Sequence, residues 1–336
     1  MNARASKVTL KDVARKAGVH HSTVSLVLSG DKRISGETRA RVLDAVRELG
    51  YVPNRSAQAL RRGTERLIAL VLWEGAQDAP IHYEHMQAIF RTAFERGYQV
   101  LLIYADREVL RRQTLRDLVF RSNAAGAIFM GAPVNVEGLG ALVESGYPFV
   151  HIGERRLHGK LLPCVSGDYR LGSFLAVTKL IELGHRRIAC LVYDTYPDIA
   201  DTRLAGYVDA MKTAQAEPWV RRAAPGAFRW NEVFDSLQGA GITAVYTTEN
   251  NLGVSLIAEA QARGVKVPED LSIISFDDHV QASLIRPALS VVRQPTAEIG
   301  KGAVTVLLDV VEGKEASVAT KLLEPVVILR ESVRRI

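Results

Sequence analysis

The sequence predicts an α/β protein in which a small, basic, all-helical unit precedes a two-lobed, parallel α/β body. Three observations predict it. Positive charge is gathered at one end: residues 1–66 hold 14 Lys/Arg against 6 Asp/Glu, and the rest of the chain holds 29 against 31. The apolar residues of the first 50 positions recur at helical spacing. From Leu67 onward, short continuous apolar runs alternate with amphipathic stretches, as expected of strands covered by helices on both faces. At 336 residues, 47% hydrophobic and 24% charged, the chain has material for more than one core.

Thr9-Leu10-Lys11-Asp12 reads as a capping-box variant, with the Thr9 hydroxyl as cap and Asp12 in the first turn. Leu10, Val13, Ala14 and Ala17 then line one helical face, and Gly18 supplies the left-handed residue that ends it. A second helix from about His21 to Leu28 buries Val24, Val27 and Leu28. A third opens at Ser35, buries Val42, Leu43, Val46 and Leu49, and stops at Gly50. Two short helices across a Gly-containing turn, supported by a longer third, make a helix-turn-helix. The second helix leaves His21, Ser22, Ser25 and Leu26 outward beside His20, and short side chains of this kind suit base edges in a major groove. The concentrated positive charge agrees with a nucleic-acid partner. Residues 54–62 have helix-forming composition, yet fall below the roughly 12–15 residues at which an isolated helix becomes marginal. That segment is expected to be helical only when something else holds it.

In the body, strands are expected at Leu67–Leu72, Gln99–Tyr104, Ala127–Met130, Phe149–Ile152, Ile188–Tyr193, Ala244–Thr247 and Ser272–Phe276. Helices are expected within Tyr83–Gly97, Leu110–Arg121, Leu171–Leu183, Arg203–Ala214 and Gly253–Arg263. Open parallel sheets bind ligands beyond the carboxyl ends of their strands. Those ends carry Trp73, Asp106, Arg155, Asp194, Glu249-Asn250 and Asp277-Asp278. Carboxylates, an arginine, an amide and an indole face suit a small polyhydroxylated or charged molecule.

Other classes are excluded. The longest purely apolar runs, such as Leu67–Trp73, fall far short of the roughly 20 residues of a membrane span, and the polar N-terminus lacks a signal core. A cytoplasmic location is expected. Cys164 and Cys190 are the only cysteines and are far apart, which removes a disulfide scaffold or zinc ribbon. His82-Tyr83-Glu84-His85 lacks the HExxH spacing, and there is no GxSxG, P-loop or GxGxxG. His185 is read as structural. Neither catalysis, cofactor nor metal is expected. The alternative is a sugar-binding or sugar-modifying α/β protein whose basic N-terminus is incidental.

The segment from Val8 to Leu60 resembles the DNA-binding headpiece of the LacI family of bacterial transcription regulators, through Thr9, Asp12, Val13, Ala14, Ala17, Gly18, Val19, Thr23, Val24, Ser25, Leu28, Leu49, Gly50, Tyr51, Pro53 and Asn54. Further matches are Asp168 and Gly172, the Arg203-Leu204-Ala205-Gly206-Tyr207 motif, and the segment containing Asp277. The resemblance implies a headpiece over 1–52, a hinge over 53–65, and a bilobed, periplasmic-binding-protein-like domain over 66–336. Its first lobe would span about 66–167 and 295–322, and its second about 168–294 and 323–336. Thr9, His20, His21, Ser22, Thr23, Ser25 and Leu26 would face DNA, with Lys7, Arg33 and Arg55 on phosphates. In the hinge beside Asn54, Ala57 would allow two helices to pack closely while Leu60 wedges into the minor groove. Arg203 and Asp277 would hold the effector, with Trp73 and Tyr83 as aromatic walls and Arg155, Glu249 and Asn250 nearby.

The resemblance further implies a cytoplasmic, nucleoid-associated repressor that binds a pseudo-palindromic operator as a homodimer and answers to a small molecule, a sugar or related metabolite. The end of the chain shows no apolar heptads, so a tetramer built on a C-terminal coiled coil is not expected. Three departures matter. Leu26 stands where the family often has arginine, so the operator should differ at that base pair. Glu249-Asn250 replaces a common Asn-Asp, and Ala79-Pro80-Ile81-His82 replaces an Asn-Pro-Phe-Phe-like loop, so the ligand should differ too.

Overall fold

The computed structural model describes residues 9–28, 34–49, 66–73, 80–106, 115–131, 136–194, 197–315 and 319–336. The chain divides into two units, Met1–Glu65 and Arg66–Ile336.

In the first unit, α1 (Leu10–Ala17), α2 (His21–Leu28) and α3 (Gly36–Glu48) surround a core of Val13, Ala14, Ala17, Val24, Val27, Val42 and Ala45. The Asp12 carboxylate accepts both the Thr9 N–H (3.0 Å) and the Thr9 hydroxyl (2.6 Å), so the box closes on the acid. Gly18 takes φ 64°, ψ 37° and turns the chain toward α2. Ser35 caps α3 by accepting the Thr38 N–H at 3.3 Å. Leu43 departs from expectation: it is 41% exposed. One residue on from Val42 lies about 100° around the helix, so the core stripe passes to Ala45, Val46 and Leu49 instead.

The second unit runs β1 (Leu67–Trp73), α4 (Pro80–Glu95), β2 (Gln99–Ala105), α5 (Leu115–Arg121), β3 (Ala127–Met130), α6 (Val136–Ser145) and β4 (Phe149–Ile152). A short hairpin, β5 (Arg156–Leu157) and β6 (Lys160–Leu161), leads into β7 (Cys164–Gly167). Then come α7 (Tyr169–Glu182), β8 (Ile188–Tyr193), α8 (Pro197–Thr213), β9 (Trp219–Ala223), α9 (Trp230–Gly239), β10 (Ala244–Thr247) and α10 (Asn250–Ala262). The chain closes with β11 (Ser272–Phe276), α11 (Val280–Leu284), β12 (Ser290–Arg293), α12 (Thr296–Val311), β13 (Lys321–Leu323) and β14 (Val326–Ile328).

Two six-stranded sheets result, ordered β13-β7-β4-β3-β1-β2 and β14-β12-β11-β10-β8-β9. Every pairing in them is parallel except β12 with β14, which is antiparallel. The chain passes from one sheet to the other after β7, after β12 and again between β13 and β14. Each sheet is buried on both faces, which is why its central strands read as unbroken apolar runs. In β1, Ile68, Leu70 and Leu72 pack with Ile89 of α4 and Leu307 of α12, whereas Ala69, Val71 and Trp73 pack with Val119, Leu139 and Leu142.

Two glycines set the helix spacing around the ligand region. A Cβ at Gly300 of α12 would stand 2.7 Å from Ala88 Cβ and 2.7 Å from the His85 carbonyl oxygen of α4. A Cβ at Gly206 of α8 would stand 2.1 Å from the Arg170 carbonyl oxygen of α7.

Candidate ligand cleft and nucleic-acid interface

The second lobe presents one connected polar cluster at the ends of β10 and β11. Arg203, one turn before Gly206 on α8, donates to the Thr248 carbonyl at 2.6 Å and to Asp277 Oδ2 at 3.0 Å. Its guanidinium lies 3.9 Å from the centroid of Phe276 and 4.9 Å from that of Tyr169, so the cation is held between rings as well as by a carboxylate. Asp277 has φ 69°, a left-handed conformation at the exit of β11 that Asp tolerates better than most residues. Gln294 donates its side-chain amide to Asp277 Oδ1, and Asn250 donates Nδ2 to the Asp277 carbonyl at 2.8 Å. The side-chain oxygen of Asn250 and Nε of Arg203, both buried, have no partner among the described residues.

Arg203, Asn250 and Asp277 are thereby brought together. Glu249 caps α10, and its carbonyl accepts the Ser275 hydroxyl at 2.9 Å. Arg155 is buried and stands 3.6 Å from Asp198 of α8, an ion pair that joins the two lobes. Trp73 is 2% exposed within the first lobe's core, and its Nε1 has no partner among the described residues. Asp194 and Asp278, also at strand ends, are engaged by Arg222 and by Arg293 with Arg330 respectively.

A cavity of about 640 Å³ opens between α4 and the loops that follow β11 and β12. Tyr83, Glu84, Asp278, His279, Val280, Arg293, Gln294 and Thr296 line it, with Tyr83 largely exposed. Sequence reasoning set His82 and His85 aside as a metal motif, gave them no place in the site, and passed over His279. His85 and His279 are buried, and among the described residues both ring nitrogens of each have no partner; nor has Nδ1 of His82. Burial pushes all three below the ordinary imidazole range, His82 to about 4 and His85 to about 3. Asp277 opposes that shift at each of them, so imidazoles from α4 and from the other lobe sense the same carboxylate. The signal was available as two histidines at i, i+3 after the first strand. Among the described residues no group of three or more His, Cys, Asp or Glu is arranged to hold a metal ion.

Elsewhere, Cys164 and Cys190 are buried free thiols, and burial pushes the Cys164 thiol up to about 11. His185 ties Thr243 (2.9 Å) to the Arg334 carbonyl (3.1 Å), a purely structural bridge.

On the first unit, the His20 carbonyl accepts the N–H groups of Thr23 and Val24 and so starts α2. The His20 ring reaches the Ser22 hydroxyl at 2.8 Å and sits 4.1 Å from the ring of His21. His20, Ser22 and Thr9 are exposed; His21, Thr23 and Leu26 are half-buried. Lys7, Arg33, Asn54, Arg55, Ala57, Leu60 and the expected hinge helix lie outside the described residues, as do the side chains of Ser25 and Leu28. Among the described residues no helix is long and apolar enough to cross a membrane.

A helix-turn-helix unit ahead of a bilobed α/β domain with a polar interlobe cleft defines a ligand-responsive DNA-binding regulator. Residues 9–54 match the model for bacterial regulatory proteins of the lacI family, and residues 177–333 match a periplasmic binding protein-like domain. The chain is 30% identical over 331 residues to the HTH-type transcriptional repressor CytR of Escherichia coli (strain K12), covering 97% of this chain and 96% of that one. It is 28% identical to the ribose operon repressor of Haemophilus influenzae, over 97% of this chain and 98% of that one. Among solved structures, the lac repressor dimer bound to operator and the anti-inducer ONPF superposes with a TM-score of 0.83 at 25% identity, over 98% of this chain and 100% of that one. The chain belongs to the lacI family of bacterial regulatory proteins. The relatives named here are transcriptional repressors, not enzymes.

Proposed function

We propose that this protein represses transcription in the cytoplasm, at the nucleoid, by binding a pseudo-palindromic operator as a homodimer under control of a small ligand in the interlobe cleft. The observation that carries this reading is a helix-turn-helix that exposes His20 and Ser22 together with an interlobe cavity lined by Tyr83, Asp278, His279 and Gln294, beside the buried Arg203–Asp277 pair. Ser25 and Leu26 complete the base-reading set, Thr9 and Thr23 lie on the DNA-facing side, and Lys7, Arg33 and Arg55 hold phosphates. Phosphate contacts fix register while base contacts set sequence, and binding should weaken steeply with salt. The hinge beside Asn54 pairs through Ala57 and wedges Leu60 into the minor groove.

A second copy has a surface to meet. β2 is an edge strand with Leu101, Leu102 and Tyr104 exposed, and the adjacent α4 exposes Phe90 and Phe94, the latter by 82%. An exposed apolar edge strand is a template for pairing. Two headpieces related by a two-fold axis read an inverted repeat. The relatives include a structure of CelR with cellobiose and another of a LacI-family regulator with ribose, which supports a polyhydroxylated ligand here.

Selection of sites from random DNA by the full-length protein tests the reading. An inverted repeat should be enriched, and Leu26→Arg should change one position in each half-site, because arginine grips guanine bidentately at about 1–3 kcal/mol where leucine cannot. Enrichment of nothing would return the protein to the class of ligand-binding α/β proteins without specific DNA recognition.

A further inference from the structure

The amino ends of the second lobe's strands, opposite the cleft, gather arginines. Arg186 and Arg187 immediately precede β8, and the segment after β14 returns to the same place. His185 meets the Arg334 carbonyl at 3.1 Å, and the Ile336 N–H donates to the Leu183 carbonyl at 3.0 Å, which brings Arg334 and Arg335 to this end. All four arginines are exposed, and among the described residues none of their guanidiniums is paired with a carboxylate. Arg186 has main-chain partners only, the Ile181 and His185 carbonyls. Acids at the same end are engaged elsewhere: Glu182 holds Lys179 at 2.7 Å, Asp270 accepts the Lys266 N–H and Glu331 accepts the Ala288 N–H.

A cavity of about 400 Å³ opens beside these arginines, a size that suits a small ligand. Arg186 and Arg187 line it together with Gln215, Glu217, Trp219 and Ile242, which come from the starts of β9 and β10 and the loops before them. Two positions around it have left-handed backbone. Gly241 has φ 62°, and a Cβ there would overlap Nη1 of Arg187, so the guanidinium lies where glycine leaves it room. Gln215 has φ 53° just past the end of α8, a place that favours glycine or asparagine, yet it keeps a long amide side chain on the cavity wall. Backbone strain of this kind concentrates at binding sites.

The chemistry of the wall decides the ligand. Guanidinium forks match phosphate oxygens, and two of them without carboxylates beside a cavity call for an anion. The indole of Trp219 and the side chain of Ile242 call for a flat, apolar group, and stacking on an aromatic ring serves any nucleobase. Glu217 opposes a wholly anionic ligand but accepts hydrogen bonds from ribose hydroxyls or an amino group. Inorganic phosphate would leave the indole bare, and a nucleoside would leave the guanidiniums bare. A nucleoside phosphate satisfies both.

We propose that this cavity is a second ligand site, which takes a nucleoside phosphate with Arg186 and Arg187 on the phosphate and Trp219 against the base. It lies at the opposite ends of the strands from the cleft, so it stands or falls separately from the regulatory site proposed above.

Calorimetric titration and tryptophan fluorescence of the full-length protein test it, at about 0.1 M salt so that surface charges are screened. The probes are ADP, GDP and CDP, with their nucleosides and inorganic phosphate in parallel. At least one nucleotide should bind with a dissociation constant below about 1 mM and change the indole emission. Its nucleoside and inorganic phosphate should each bind at least about tenfold more weakly, because each keeps one half of the recognition. Arg187→Glu should weaken the nucleotide at least about tenfold while moving the melting temperature by less than about 2 °C, since the guanidinium is exposed and unpaired. Gln215→Gly relieves the left-handed backbone, so it should hold or raise the melting temperature and still weaken the nucleotide by about threefold or more. Three results would overturn the proposal: no nucleotide binds, inorganic phosphate binds as tightly as the nucleotide, or Arg187→Glu binds it like the parent, which would place it in the cleft or on the headpiece.

Discussion

Replacing Asp277 with asparagine changes one charge and little else. Asparagine has nearly the same shape and accepts the left-handed backbone found at this position. Asp277 and Arg203 are buried, with side chains 11% and 6% exposed and 3.0 Å apart. Among the described residues the guanidinium's hydrogen-bond partners are the Thr248 carbonyl and Asp277, with no second carboxylate. The rings of Phe276 and Tyr169 stabilise a cation far less than an ionised acid does. Asp277→Asn therefore strands a positive charge in a poorly polarisable setting, and breaking one side of a buried pair costs about 3–5 kcal/mol. For a unit of this size that corresponds to a loss of about 6–20 °C in melting temperature. Arg203→Met should cost a similar amount, since it leaves the carboxylate alone beside Gln294. Making both changes removes two charges and leaves an apolar side chain over Phe276, so most of the stability should return, with a coupling of about 2 kcal/mol or more. A double-mutant cycle on the full-length protein, by thermal and urea unfolding, measures this. Additive losses would refute the partnership.

Acid should destabilise the protein through its buried imidazoles. His85 and His151 are 3% and 1% exposed, and burial lowers both to about 3. Below pH 6.5 the unfolded chain takes up protons that the folded one refuses, so stability falls with pH down to about 3, by about 2 kcal/mol per residue between pH 7 and 5. His151→Phe, which can keep the stacking on Phe129 seen at 5.2 Å, should flatten the melting temperature's dependence on pH, and an unchanged slope would contradict the assignment. Phe94→Glu should shift the protein toward monomer in analytical ultracentrifugation by charging the exposed α4 face beside β2; an unaltered dimer would move the interface elsewhere.

Much of the fold was legible because strands buried on both faces announce themselves as apolar runs. β3, β4, β8, β10 and β11 fall at the expected residues. The strands that escaped notice carry a weaker signal: β5 and β6 have two residues each, β13 and β14 three, and β9 places Arg221 and Arg222 side by side at a sheet edge, while β7 and β12, although largely buried, hold only two consecutive apolar residues each, Cys164-Val165 and Val291-Val292. β14 also runs antiparallel, which no local pattern encodes because its direction is set by where the chain last crosses between lobes. Leu43 shows the opposite failure, an apolar residue one position off the helical stripe and left in solvent within its unit. In the cleft, Arg203 and Asp277 could be named from motif and strand-end position, and they are hydrogen-bonded directly. The imidazoles were visible only as a spacing and a departing loop, without a role. His82 and His85 fit no metal-binding spacing, and the close approach of α12 to α4 at Gly300, beside the His85 carbonyl, is a long-range feature that no local pattern encodes.

The most direct test of ligand-controlled DNA binding is a linkage measurement on the full-length protein. Operator affinity is determined with and without the compound that stabilises the cleft, and that compound's affinity with and without operator. A regulator of this kind should show a change of about 5–150-fold in operator affinity and the same factor, in the same direction, in ligand affinity, because coupling between two sites is reciprocal. Operator affinity that stays constant as the cleft is saturated would mean that the cleft does not govern DNA binding.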